Sequence, residues 1–237
     1  MFGRTKIAMV VAEFLGVATL TSVLLAIGKS GVGYSYFLAG GVALAAGGMA
    51  LAVGRLSGAH FNPAVTLGLW SSRKIPTTQA VAFIAAQLLG AVAAWRMYVY
   101  MAGQALPTTA KNFDWRVFVA EAVGAFVLTF VFASVVYQGY RGLKFAAGLA
   151  GAVFLGMLVA SIGSNGLANP AIALGVRVWS WSYVAAPLIG GIIGANLYAY
   201  LFAEVTPMQE AGVSSRSTVS SRSSKRAVAK KKPARRK

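Results

Sequence analysis

The chain has 237 residues, of which 57% are hydrophobic and 11% are charged, and its formal net charge at pH 7 is +17. Soluble domains carry about 25% charged residues, so this composition argues against a soluble globular domain. Cysteine is absent, which excludes disulfides and thiolate metal ligands, and one histidine with five acidic residues leaves little material for a metal site or a general acid–base pair.

Six apolar stretches meet or approach the length of about 20 residues that a bilayer-spanning helix needs. In chain order they are 7–28, 35–54, 77–100, 117–137, 145–163 and 183–203. The first is longer than the apolar core of a signal peptide and no small-residue cleavage pattern follows it, so we expect it to stay in the protein.

The number of spans also predicts the orientation, because an even number places both termini on one side. Lys29 and Lys111 then lie on the opposite side. The side of the termini carries more cations, and the positive-inside rule predicts that it is cytoplasmic. These cations are Arg4, Lys6, Arg73, Lys74, Arg141, Lys144 and those of the C-terminal tail.

Two pairs of motifs indicate an internal duplication. The sequence around Glu13 in the first span (AEFLG) returns around Glu121 in the fourth (AEAVG), at an offset of 108 residues. Asn62-Pro63-Ala64 returns as Asn169-Pro170-Ala171, at an offset of 107 residues. Each half has three spans, so the second half must be inverted relative to the first, an architecture that places the functional site between the halves.

We therefore expect an all-α membrane protein with six transmembrane helices, two re-entrant half-helices and two inverted repeats. The repeats cover about 6–103 and 114–203, within a channel domain of residues 1–205.

Each Asn-Pro-Ala opens a short apolar segment, from Asn62 to about Ser71 and from Asn169 to about Trp179. Asparagine favours the N-cap and proline the first helical position, so both segments are predicted to begin as helices. Neither is long enough to cross a membrane at 1.5 Å per residue. The alternative is an interfacial helix or an ordinary loop–helix junction, which the symmetric placement of the pair disfavours.

Half-helices that enter from opposite faces would meet at their N-termini, where each helix dipole carries about half a positive charge. A positive centre repels cations. The amides of Asn62 and Asn169 could donate hydrogen bonds to a passing water and so interrupt a proton relay. The irregular segments before each asparagine, 58–61 and 164–168, would line the path with carbonyl oxygens.

Two acids lie inside apolar spans, where charge is costly and usually functional. The symmetry of Glu13 and Glu121 favours a structural role, in which each carboxylate accepts backbone hydrogen bonds from one re-entrant loop. A proton relay or cation site is the alternative. We expect Gln87 to bond backbone across a helix interface. The many glycines in the spans, among them Gly40, Gly48, Gly151 and Gly190, are interpreted as helix-packing positions.

These residues resemble the aquaporin, or major intrinsic protein, family over residues 6 to about 203. The resemblance rests on the two glutamate motifs, on Ser57–Thr66 (SGAHFNPAVT), on Ala86–Ala91 (AQLLGA), on Asn169-Pro170-Ala171 and on Pro187–Gly191 (PLIGG). It implies one pore per subunit, a homotetramer and passive flux of water or small neutral solutes. Asn62, Pro63, Ala64, Asn169, Pro170 and Ala171 would then form the central constriction, and His60 would line the inner pore mouth.

One position departs from the family. Its members usually carry arginine directly after the second Asn-Pro-Ala, in the outer selectivity filter, and here that position is Ile172. The other filter positions correspond to Val42, Met157 and Gly166, so an apolar, uncharged filter is expected. Arg177 lies five residues beyond Ile172, which at 3.6 residues per turn is poorly placed to substitute.

The C-terminal segment, residues 206–237, carries 10 of the 22 lysines and arginines and has no apolar pattern. Such a segment cannot bury a core and is predicted to be a disordered cytoplasmic tail. It would be attracted to anionic lipid or, as the alternative, to nucleic acid through the same non-specific electrostatics.

The resulting hypothesis is an integral membrane channel, in the plasma membrane, for water and small neutral solutes, without a cofactor or enzymatic activity. One alternative is a channel for glycerol, urea or ammonia with an unusual apolar filter. The alternative of another class is a membrane adhesion or scaffold protein with a closed pore.

Overall fold

The computed structural model describes residues 3–31, 33, 35–105 and 112–203, and every regular element in these ranges is a helix. The elements are α1 (Arg4–Lys29), α2 (Ser35–Ser57), α3 (Pro63–Ser71), α4 (Thr77–Ala102), α5 (Trp115–Tyr137), α6 (Gly142–Ala160), α7 (Pro170–Gly175) and α8 (Trp181–Phe202). The tail 206–237 and Lys111 lie outside the described residues, so the predictions about them stay predictions.

Six of these helices, α1, α2, α4, α5, α6 and α8, are long and apolar enough to cross a membrane. The shortest has 19 residues and the longest have 26. The six predicted spans and the all-α membrane fold are therefore confirmed, with boundaries that differ by a few residues. Polar or turn-forming residues at the ends of the apolar stretches extend several helices beyond the bilayer-length core.

The packing of the helices follows the two halves of the chain. In the first half α1 packs against α2 and α4, and in the second half α5 packs against α6 and α8. Between the halves, α2 packs against α6, α3 against α8 and α7 against α4. Exchanging the two halves converts each of these contacts into another, which is the relation expected of inverted repeats.

Close helix crossings depend on several of the glycines. A Cβ on Gly90 would collide with the Phe14 carbonyl oxygen, and a Cβ on Gly190 would collide with that of Ala122. In this way α4 approaches the backbone of α1, and α8 approaches that of α5. Small residues supply such contacts in membranes, where lipid tails are as apolar as leucine and leave no hydrophobic drive between helices.

The packing interpretation is wrong for three other glycines. Among the described residues, nothing lies within 4 Å of a Cβ built on Gly40, Gly48 or Gly151. These glycines border an open groove on the outer face of the α2–α6 pair. Sequence spacing alone could not separate them from the buried glycines, because both groups occur in equally apolar helices.

Candidate functional site

The two Asn-Pro-Ala motifs begin the two short helices. The Asn62 Oδ1 accepts a hydrogen bond from the Ala64 N–H at 2.8 Å, and the Asn169 Oδ1 accepts from the N–H groups of Ala171 at 3.0 Å and Ile172 at 3.3 Å. Each asparagine has extended backbone and is followed by a proline at the start of its helix. Both motifs therefore form side-chain N-caps, the local geometry that asparagine and proline favour.

The two asparagines also join the halves of the chain. The Asn62 Nδ2 donates to the Ala168 carbonyl oxygen at 2.9 Å, and the Asn169 Nδ2 donates to the Phe61 carbonyl oxygen at 2.9 Å. Each amide therefore holds the loop that precedes the opposite helix. Since an amide NH₂ group has two hydrogens, each asparagine retains one N–H after this bond is formed.

The loops before the two helices adopt an uncommon backbone conformation. Ala59, Phe61 and Ala168 have φ values of 50°, 48° and 46°, in the left-handed region that side chains with a Cβ rarely adopt. Such residues cost free energy and persist only where the surroundings hold them. The strain here is located directly before the caps.

Two buried carboxylates hold these loops. Glu13 accepts hydrogen bonds from the N–H groups of His60 at 3.0 Å and Phe61 at 2.7 Å. Glu121 accepts from Leu167 at 2.9 Å and Ala168 at 2.6 Å. Both acids are fully buried. The backbone hydrogen bonds expected from their symmetric positions are present, and they compensate part of the cost of burying a carboxylate.

The polar environments of the two carboxylates differ. The Gln87 Nε2 donates to Glu13 at 2.7 Å and to the Thr66 Oγ1 at 2.9 Å, and the ring Nδ1 of His60 lies 3.2 Å from the same hydroxyl oxygen. On the other side the Ser164 hydroxyl donates to Glu121 at 2.6 Å. The expectation that Gln87 bonds backbone is wrong, because a side-chain acceptor and a hydroxyl lie nearer to its amide than any backbone group of the facing helix.

A narrow cavity lies between the two asparagines and the predicted filter. Its volume is about 10 Å³ for the centre of a water-sized sphere, which is room for about one water molecule. Its polar side chains are His60, Asn62 and Asn169. The rest of its wall is apolar and consists of Leu20, Val42, Ala46, Phe61, Leu128, Leu149, Val153, Met157, Leu167 and Ile172.

Three of the four predicted filter residues lie on this cavity. Val42, Met157 and Ile172 are buried and line it, whereas Gly166 is not among the lining residues. A Cβ on Gly166 would lie 2.7 Å from the Met157 carbonyl oxygen, so this glycine lets its loop pass closely behind Met157.

Sequence reasoning missed Leu20, Leu149 and Val153 as wall residues. Leu149 and Val153 precede Met157 at intervals of four residues, and Ala46 follows Val42 at the same interval, so all lie on one face of a helix. Extending the helical period from the two predicted filter positions would have found three of these wall residues. Leu20 has no comparable signal.

The second short helix ends earlier than predicted, at Gly175 and not near Trp179. The backbone reverses at Arg177, which has a φ of 67°, and the Val178 N–H bonds back to the Ala173 carbonyl oxygen at 3.0 Å. The Arg177 guanidinium lies 5.7 Å from the centre of the Trp95 ring and does not line the cavity. No cationic side chain among the described residues lines it.

Comparison with known proteins places this geometry in a family context. The family model described as Major intrinsic protein matches residues 4–202. Aquaporin AqpM of Methanothermobacter thermautotrophicus is 32% identical over 190 residues, which cover 70% of this chain and 76% of that protein. Aquaporin Z of Rhodopseudomonas palustris is 34% identical over 187 residues, which cover 69% and 77%.

A solved structure shares the fold. The X-ray structure of the aquaglyceroporin from Plasmodium falciparum superposes with a TM-score of 0.64 at 23% identity, covering 84% of this chain and 96% of that one.

Proposed function

The chain belongs to the major intrinsic protein family of membrane channels for water or small solutes, and we propose that it conducts water and small neutral solutes passively while excluding ions at the two Asn-Pro-Ala motifs. Flux would follow the concentration or osmotic gradient. No covalent chemistry is part of this function.

The observation that carries the proposal is the reciprocal bonding of the two asparagine caps. Asn62 and Asn169 each hold the loop before the opposite helix, so the N-termini of α3 and α7 face the same short stretch of the cavity. The aligned peptide dipoles make this stretch electropositive. The remaining amide N–H of each asparagine is a donor for a solute oxygen, which turns the protons of a bound water away from the centre.

The apolar wall supports a second candidate solute class. Val42, Met157 and Ile172 offer no hydrogen bonds to replace those that a water molecule loses on entry, so entry of water carries a cost. Neutral solutes that bind water weakly, such as ammonia, lose less. The water reading and the neutral-solute reading therefore differ in the expected order of permeabilities.

Flux measurements on the full chain in proteoliposomes test both readings. Stopped-flow light scattering would report osmotic water flux, and swelling in glycerol, urea or an ammonium salt would report solute flux, each against empty vesicles. Water flux well above that of empty vesicles supports the water reading. Brisk solute flux without water flux would favour the neutral-solute channel instead.

A closed scaffold remains the alternative of another class, and the narrowness of the cavity favours it. For this alternative every permeability would equal that of empty vesicles, although the protein is folded and inserted. That result would contradict the channel proposal.

The assembly and orientation belong to the same proposal. We expect a homotetramer in the plasma membrane with both termini cytoplasmic. The end of the bundle that carries the N-terminus is richer in cations, whereas the opposite end has Lys29, Arg116 and Arg177. This imbalance supports the orientation through the positive-inside rule. The cations at the N-terminal end are Arg4, Lys6, Arg55, Arg73, Lys74, Arg141 and Lys144.

A further inference from the structure

A second large cavity lies away from the candidate pore, at the end of the bundle where α2 finishes and α6 begins. Its volume is about 970 Å³, and its wall is half polar. The polar part comes from Arg55, Tyr140 and Arg141, and the apolar part includes Leu51 and Phe145. None of these residues lines the narrow cavity beside the asparagines.

The cavity lies on the outer side of the α2–α6 seam. The α2 residues that line the narrow cavity, Val42 and Ala46, are buried, whereas Leu51 and Arg55 lie on a different face of α2 and are exposed. Gly54 fixes the seam at this level, because a Cβ there would lie 3.3 Å from the Phe145 ring. A molecule in this cavity would therefore enter from the side of the helix bundle.

The two arginines carry uncompensated charge. Among the described residues the acids are Glu13, Asp114 and Glu121. Glu13 and Glu121 are fully buried against the re-entrant loops, and Asp114 caps the opposite end of α5. No ion pair is formed with Arg55 or Arg141 in the described part of the chain. Two guanidinium groups beside one cavity form a site for a phosphate, because their planar forks match phosphate oxygens.

The exposed face of α2 continues from this site as an apolar strip. Leu51 is 56% exposed beside the arginines, and Leu44 is 78% exposed two turns earlier. Between them lies Gly48, where a Cβ would meet nothing within 4 Å among the described residues. The strip ends in an open apolar groove of about 730 Å³ that includes Leu44, Phe37 and Phe154. A polar cavity joined to an apolar strip matches a headgroup and its acyl chains.

From this placement we propose that the cavity at Arg55 and Arg141 binds the phosphate headgroup of an anionic membrane lipid, with an acyl chain along Leu51 and Leu44. Basic pockets between transmembrane helices on the cytoplasmic side bind such headgroups. The orientation rests on the proposed function, but the site does not, since lipid binding is measured without flux. Failure of one leaves the other standing.

Lipid titration of the full chain in detergent, followed by native mass spectrometry, tests the site. Phosphatidylglycerol would be compared with phosphatidylcholine of the same acyl chains, at high salt so that the exposed tail is screened. Each cation near an anionic lipid contributes about fivefold in affinity, so Arg55→Gln with Arg141→Gln should weaken phosphatidylglycerol binding about 25-fold.

A matched control removes the same charge at the same end of the bundle. Arg4→Gln with Arg73→Gln should leave binding within about twofold, because neither residue lines the cavity. If the double arginine variant does not fold, a bulky maleimide on folded Leu51→Cys protein should block lipid binding instead; the native chain has no cysteine. Unchanged binding in either experiment would overturn the proposal.

Three further results would also overturn it. An equal loss in the control pair would mean that the whole basic surface binds lipid without a site. Displacement of the lipid by millimolar inorganic phosphate would mean that the cavity serves a free anion. Spontaneous disulfide dimers of Leu51→Cys would mean that a second copy of the chain covers the cavity.

Discussion

Ile172 determines the chemistry of the outer part of the candidate pore. It is 1% exposed and faces the narrow cavity together with Val42 and Met157. Because Arg177 lies over Trp95, no fixed positive charge replaces the arginine that the family resemblance leads one to expect here. In the described residues, electrostatic exclusion of cations therefore depends on the two helix N-termini alone.

Ile172→Arg should lower any cation or proton leak through the protein. A charge about 8 Å from a passing cation, at an effective dielectric of about 20, adds about 2 kcal/mol of repulsion, which is roughly thirtyfold in flux. Proteoliposomes with an entrapped pH dye and an imposed pH gradient would measure it.

Ile172→Leu is the control for this experiment, because it keeps an apolar side chain of the same volume and should leave the leak unchanged. A leak of equal size in the arginine variant and the parent would show that this position does not control it.

The buried acids show how far individual residues could be predicted. An acid inside an apolar span must be compensated, and its recurrence in both halves pointed to the two re-entrant loops, whose backbone N–H groups it accepts. The partners of Gln87 could not be predicted, since an uncharged amide can bond to many groups and its neighbours come from α1 and α3. The choice between them depends on how the helices pack.

At the scale of elements, the short helices are specified locally and the crossings are not. The caps and prolines fix where α3 and α7 begin. The end of α7 depends on the backbone reversal at Arg177, which has no residue signal such as glycine. Likewise, glycines that pack and glycines that face open space differ only in what the neighbouring helix brings near them.

Gly190→Ala should destabilise the protein. The new Cβ would meet the backbone of α5 at Ala122, and overpacking of this kind costs about 1–3 kcal/mol. The matched control is Gly151→Ala, where the Cβ enters open space and alanine raises helix propensity by up to about 1 kcal/mol.

Thermal unfolding of both variants in one detergent, followed by tryptophan fluorescence, would compare them. The expected order of Tm is Gly151→Ala at or above the parent and Gly190→Ala below it. The reverse order would mean that the α5–α8 crossing does not have the closeness described.

At the scale of the whole molecule, the two halves are mutually dependent. Each asparagine cap bonds a carbonyl more than 100 residues away in the other half, and each short helix packs against a long helix of the other half. Neither half can therefore complete its own loop, so the candidate pore exists only when both halves are inserted in opposite senses.

The predicted orientation can be read from single cysteines in the cysteine-free chain. Thr78 at the start of α4 and Asn112 before α5 are both exposed and lie at opposite ends of the bundle. In intact cells a membrane-impermeant maleimide should label Asn112→Cys and leave Thr78→Cys unlabelled, because the cation-rich end faces the cytoplasm. Detergent permeabilisation should expose both, and the opposite labelling pattern would reverse the orientation.

The sequence by itself determined the six spans, the repeated motifs and the capped starts of the short helices, because bilayer length, hydropathy and capping depend on neighbouring residues. Only the tertiary structure decided which carbonyl each asparagine holds, where Arg177 and Gln87 lie, how narrow the cavity is and which glycines face open space. These features arise from contacts between residues far apart in the chain, and such contacts are set by how the two halves pack.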